Sequence, residues 1–194
     1  MSDIKTINFK RSDFMAKEPT IVSKLLPILL VVSFCLVSLF SAITNVSSQF
    51  NFFIEYGVDT TYAIIFNVIF TALIQYLVYA IFLWIYKSIL TTRPYFAFIG
   101  ERKFTDTFGL WYVAKNVIYG LILFTQFWAP YLANLYSILN LVLSYLVVMM
   151  TYISLKNRVD IVFRPMILKD FYYPWFIWQG LGLLISILFG GILL

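Results

Sequence analysis

No histidine occurs in the 194 residues of this chain, and there is one cysteine. The first absence removes the commonest general base and the commonest metal ligand together. The second leaves neither a disulfide framework nor a thiolate metal site, since Cys35 stands alone inside an apolar run. Charge is scarce too: 12% of residues are charged, against roughly 25% in soluble domains. Catalytic motifs are also missing. There is no HExxH, no GxSxG, no phosphate-binding glycine loop and no pair of aspartates inside an apolar segment. A non-enzymatic protein without metal or cofactor is expected.

What the chain has is hydrophobicity. At 62% hydrophobic residues it is expected to use lipid as its solvent, with its apolar runs as helices that satisfy their own backbone. The fold class read from this is an all-α, polytopic integral membrane protein. Aromatic residues gather near the predicted helix ends, as interfacial belts do. The stretch from Gly109 to Leu155 organises the rest. It carries one charge, Lys115, and one break, Ala129-Pro130-Tyr131. Each half is about 30 Å long as a helix, the thickness of a hydrocarbon core. Pro130 removes a backbone donor where the chain has to reverse. The stretch reads as a transmembrane hairpin, with both ends on one side.

Five spans follow, at about residues 22–44, 62–89, 109–129, 131–154 and 173–194, behind a polar tail of residues 1–24. The tail is too long and mixed for the basic region of a signal peptide, so a retained anchor is expected. The fourteen Lys and Arg residues fall on the tail side, on the two even-numbered loops, or within snorkelling reach of them. The opposite side holds Glu55 and Asp59. The positive-inside rule then gives an N-in, C-out chain with a cytoplasmic tail, in a bacterial plasma membrane or a eukaryotic endomembrane. The net charge of +5 therefore reads as membrane orientation and not as a nucleic-acid surface.

Polar residues recur within the spans at helical spacing. Asn67, Thr71 and Gln75 form one stripe in the second span. Lys115, Tyr119, Ile122 and Gln126 form another in the third, Ser137, Asn140, Ser144 and Thr151 a third, and Gln179, Gly182, Ser186 and Gly190 a fourth. Amides and hydroxyls are costly in lipid, so these faces should turn into the bundle. There they either pack helices together, at about 0.6 kcal/mol per contact, or line a functional cavity. Lys115, about two turns inside the expected third helix, can snorkel back to the interface or meet an ion or substrate. Glu55 and Asp59, four apart, supply too few oxygens for calcium. Arg93, Arg102, Lys103, Arg158, Arg164 and Lys169 stand among aromatic residues on the cytoplasmic side. They suit anionic lipid headgroups, at about 1 kcal/mol each, or a docked partner.

Residues 100–116, GERKFTDTFGLWYVAKN, precede and begin the third span. With the five-span layout, the cytoplasmic tail and the tight hairpin, they resemble the YIP family, the Rab-GTPase-interacting membrane proteins of eukaryotes and their bacterial relatives. The resemblance implies membrane organisation or trafficking through partner binding, and brings no catalytic residues. Three readings of function result. The first is a scaffold or adaptor that binds membrane proteins or lipids through its loops and polar stripes. The second is a small carrier or channel subunit with a polar path between helices. The third is an immunity protein against a membrane-acting toxin.

Overall fold

The computed structural model describes residues 21–44, 59–125, 128, 133–159 and 161–190. Among them the secondary structure is helical throughout, with no strand. Helix α1 runs Ile21–Thr44, α2 Thr60–Leu90, the single turn α3 Phe96–Ile99, α4 Glu101–Phe124, α5 Ala133–Leu155 and α6 Arg164–Gly190. Two short 3-10 turns, Lys156–Arg158 and Ile161–Phe163, join α5 to α6. Among the described residues α1, α2, α4 and α5 are each long and apolar enough to cross a membrane. The tail, Glu55, Gln126 and Pro130 lie outside the described residues, as do the side chains of Ser137 and Ser186.

Two helices begin earlier than hydropathy suggests. Helix α4 starts at Glu101 and not near Gly109. Its first two turns are amphipathic: Glu101, Arg102 and Lys103 are exposed, whereas Phe104, Thr107 and Phe108 are buried. Gly100 sets up this start with φ +76°, a backbone conformation costly for any residue with a Cβ. Helix α6 starts at Arg164 and not near Tyr173, with Pro165 in its opening turn, where a missing N–H costs nothing. Here Ile167, Asp170 and Phe171 are buried while Met166, Leu168 and Lys169 are exposed.

The helices pack as a ring. Helix α1 lies against α2 and α4, α4 against α5, α5 against α6, and α6 closes onto α2. Phe108, fully buried, is the hub of the core. Its ring meets those of Tyr79, Phe82, Tyr86, Phe104 and Tyr112 at centroid distances of 5.4 to 6.2 Å. Phe34 joins from α1, Phe171 from α6, and Tyr152 from α5 through Phe171. Each favourable ring pair adds about 0.5–1.5 kcal/mol beyond area burial.

Hydrogen bonds close the end of the bundle where the loop residues 91–100 and the two 3-10 turns lie. Ser23 on α1 donates to Asp106 on α4. Pro174 denies the carbonyl of Asp170 its helical donor, and the neighbouring Phe171 carbonyl accepts from the buried Tyr86 hydroxyl at 2.6 Å. The Asp170 carboxylate takes Arg93 at 2.9 Å and the Tyr95 hydroxyl at 2.5 Å. Burial first, and then this hydrogen bond, push the Tyr95 phenol well above the usual range, so it stays protonated and donates. Lys24, Lys87, Arg93, Arg102, Lys103, Lys156, Arg158, Arg164 and Lys169 all belong to this end. Asp59, which caps α2 by accepting from the Thr61 N–H at 2.7 Å, marks the other.

Glycine allows the close approach of α1 to α4. A Cβ on Gly109 would stand 2.7 Å from Leu26 Cδ2, and one on Gly120 2.3 Å from Leu36 Cδ2. Leucine tips can swing aside, so Gly120→Ala is expected to cost little. Gly120→Val and Gly109→Val overfill the seam and should each lower stability by about 1–3 kcal/mol. Thermal unfolding in detergent measures this; equal Tm values for Gly120→Ala and Gly120→Val would refute the tight seam. Asp170→Asn leaves Arg93 without its counter-charge. Because Arg93 is half-exposed, the expected loss is about 1–3 kcal/mol, less than for a fully buried pair.

Candidate functional site

Beyond the aromatic hub the ring of helices encloses space. A partly open cavity of about 360 Å³ lies between all five long helices. Phe82 and Tyr112 belong both to the core and to the cavity wall, so the cavity begins where the ring cluster ends. Helix α4 contributes Tyr112, Lys115, Asn116 and Tyr119, spaced as one helical face. Gln75 comes from α2, Asn140 and Ser144 from α5, Trp178 and Gln179 from α6, and Val37 from α1.

The polar stripes thus converge, though unequally. Gln75, Lys115, Asn140, Ser144 and Gln179 line this one cavity. Asn67 and Thr71 do not; Thr71 donates to Asn67 at 2.9 Å along α2 itself. Thr151 is buried and donates to the Val147 carbonyl at 2.7 Å. Asn116, which the stripe reading passed over, is 2% exposed and donates to Ser33 on α1 at 3.1 Å. Its signal was its place beside Lys115, where a helical face one residue wider includes it.

Ser144 is the most connected polar atom of the wall. Its hydroxyl donates to the Leu141 carbonyl at 2.7 Å and accepts from Gln179 Nε2 at 3.2 Å and Trp175 Nε1 at 3.3 Å. The Gln179 amide is therefore held in one orientation. Asn140 differs. Its Oδ1 is buried and has no hydrogen-bond partner among the described residues.

Lys115 carries the charge of the site. It lies five residues beyond Leu110, the first exposed apolar residue of α4, hence about 7.5 Å farther along the axis. Its ammonium stands 5.0 Å from the Tyr112 ring centroid and 5.7 Å from that of Tyr119, between one turn and the next. The ion pairs found among the described residues, Lys87–Glu101 and Arg93–Asp170, leave it without a carboxylate. Two cation–π contacts return about 2 kcal/mol or more when desolvated, against a desolvation penalty of several kcal/mol. An intramembrane charge left in that position points to function.

The basic residues of the opposite set separate in the same way. Arg93 is engaged by Asp170. Arg102 and Lys103 are exposed in the first turn of α4, Arg158 is exposed in a 3-10 turn, and Lys169 is exposed on α6. Arg164 is half-buried, with its Nε unpartnered among the described residues. Among those residues no three His, Cys, Asp or Glu side chains gather as a metal site would require.

Packing and binding roles make different demands on the wall. Ser144→Ala strips two donors of their acceptor and should cost about 1–3 kcal/mol. Asn140→Leu removes no described hydrogen bond, and should leave thermal stability unchanged or raise it. A loss for Asn140→Leu matching that for Ser144→Ala would make Asn140 a packing residue. Comparison with protein-family models, with curated proteins and with solved structures finds no match to this chain.

Proposed function

We propose that the chain is a five-span membrane protein, N-in and C-out with a cytoplasmic tail, that takes a small anionic solute into the cavity between its helices, as a carrier or channel subunit does. One observation carries the reading: Lys115 lines a polar cavity with no carboxylate from the described residues beside it. A ligand anion would supply the missing charge. The amides of Gln75, Asn140 and Gln179 would meet its polar atoms, and the aromatic walls its carbon frame. The orientation rests on the basic residues gathered at one end of the bundle. The fifth span rests on α6, whose 27 residues carry their charges in the first two turns.

Partner binding, the activity implied by the YIP resemblance, is the second reading. The exposed Lys103 and Arg158 at the basic end favour it. The first reading is preferred because Gln75, Lys115, Asn140, Ser144 and Gln179, polar groups that a scaffold would offer to neighbours in the bilayer, line the cavity.

Thermal unfolding tests the proposal, with formate, lactate, benzoate and phosphate as probes and choline as the cationic control. A bound anion at a hundredfold its Kd should stabilise the protein by about 2.7 kcal/mol. Lys115→Met should abolish that shift and, by removing an unpaired charge, raise the stability of the ligand-free protein by about 1–3 kcal/mol. Choline stabilising as well as the anions, or Lys115→Met retaining the anion shift, would sink the reading.

A further inference from the structure

A second concavity opens on the outer surface, between α5 and α6. It is a groove of about 750 Å³ with Tyr145 on one wall. The other wall is a single stripe of α6: Pro165, then Leu168 and Lys169, Tyr172 and Tyr173, and Phe176, at the spacing of one helical face. Lys169 lies in the basic end of the bundle, and Phe176 is seven residues deeper, about 10.5 Å along the axis. Chemistry changes in that direction. An ammonium comes first, then two phenols, then an exposed phenyl ring, Phe176 being 62% exposed.

The charge of the groove is not cancelled locally. Asp170 follows Lys169 in sequence but turns to the other side of the helix, where it is 7% exposed and bound by Arg93 and Tyr95. No carboxylate of the described residues pairs with Lys169. The Tyr145 ring packs on Tyr172 and Trp175 at 5.4 and 5.3 Å, so the floor is built before any ligand arrives. We propose that this groove is a binding site for one anionic phospholipid, its phosphate against Lys169 and the tyrosine hydroxyls, and an acyl chain along Tyr173 and Phe176. Basic pockets between helices at a membrane face take such headgroups. The gradient from cation to phenol to hydrocarbon matches one phospholipid molecule placed head outward. This site is separate from the central cavity and does not depend on its function.

Native mass spectrometry of the full chain tests it, after exchange into detergent holding equal phosphatidylglycerol and phosphatidylcholine. The protein should retain phosphatidylglycerol about fivefold over phosphatidylcholine, the factor that one basic residue near a headgroup sets. Lys169→Gln should bring the ratio near one, and Lys169→Arg should restore it. Lys24→Gln, at an exposed basic residue of α1 outside the groove, should leave it unchanged. Equal retention of the two lipids by the wild type overturns the proposal. So does a preference that survives Lys169→Gln, or one that Lys24→Gln removes equally, which would make the effect diffuse charge. A lipid-free dimer as the dominant species would place a second copy in the groove instead.

Discussion

Lipid tails are as apolar as leucine, so burying leucine against leucine gives membrane helices no reason to associate; contact and hydrogen bonding must hold them. In this chain those contacts converge on Phe108. Rings from α2 and α4 surround it, and Phe34, Phe171 and Tyr152 extend the cluster to α1, α6 and α5. The buried hydroxyl of Tyr86 and the Asp170 carboxylate add polar fasteners in the same half of the molecule. Everything else is positioned from that half.

The cavity depends on this asymmetry. A site that exposes amides and an ammonium within the bilayer weakens the helices that form it, and the density around Phe108 offsets the loss. The two regions share Phe82 and Tyr112, so the site has a rigid floor. Above it the wall of α4 carries Lys115 between two tyrosine rings. The amide of Gln179 is fixed through Ser144, while that of Asn140 has its oxygen unpartnered. The wall thus sets a fixed amide beside one whose oxygen is open.

Much of this arrangement was legible in the sequence, for a physical reason. Against an almost uncharged background, a polar residue inside a span has few places to go, and helical spacing shows which of them share a face. Gln75, Lys115, Asn140, Ser144 and Gln179 were found that way. Asn116 was passed over because the stripe through Lys115 was drawn one residue too narrow. The helix starts were displaced for a different reason. Hydropathy sees the charges of ERKFTDTF and RPMILKDF, whereas folding uses the apolar face those segments turn inward, Phe104 with Phe108 and Ile167 with Phe171. The resting place of the Lys115 ammonium was not legible from a span boundary alone, since it is the tyrosines on either side that meet it. The bond of Arg93 to Asp170 spans 77 positions, and no local pattern announces it.

That separation has a consequence for biosynthesis. A carboxylate entering the membrane boundary unpaired is costly, but Arg93 and Tyr95 are made long before Asp170 leaves the ribosome. At about 5–20 residues per second, the loop that receives Asp170 has several seconds to form first. Helix α6 is made after the other four long helices and docks against α2 and α5, guided by an Arg93 guanidinium and a Tyr95 hydroxyl already waiting. Trp178 and Gln179 arrive with it, so the cavity is complete only once the chain through α6 has been translated. The nascent protein passes through synthesis with its interior site unfinished.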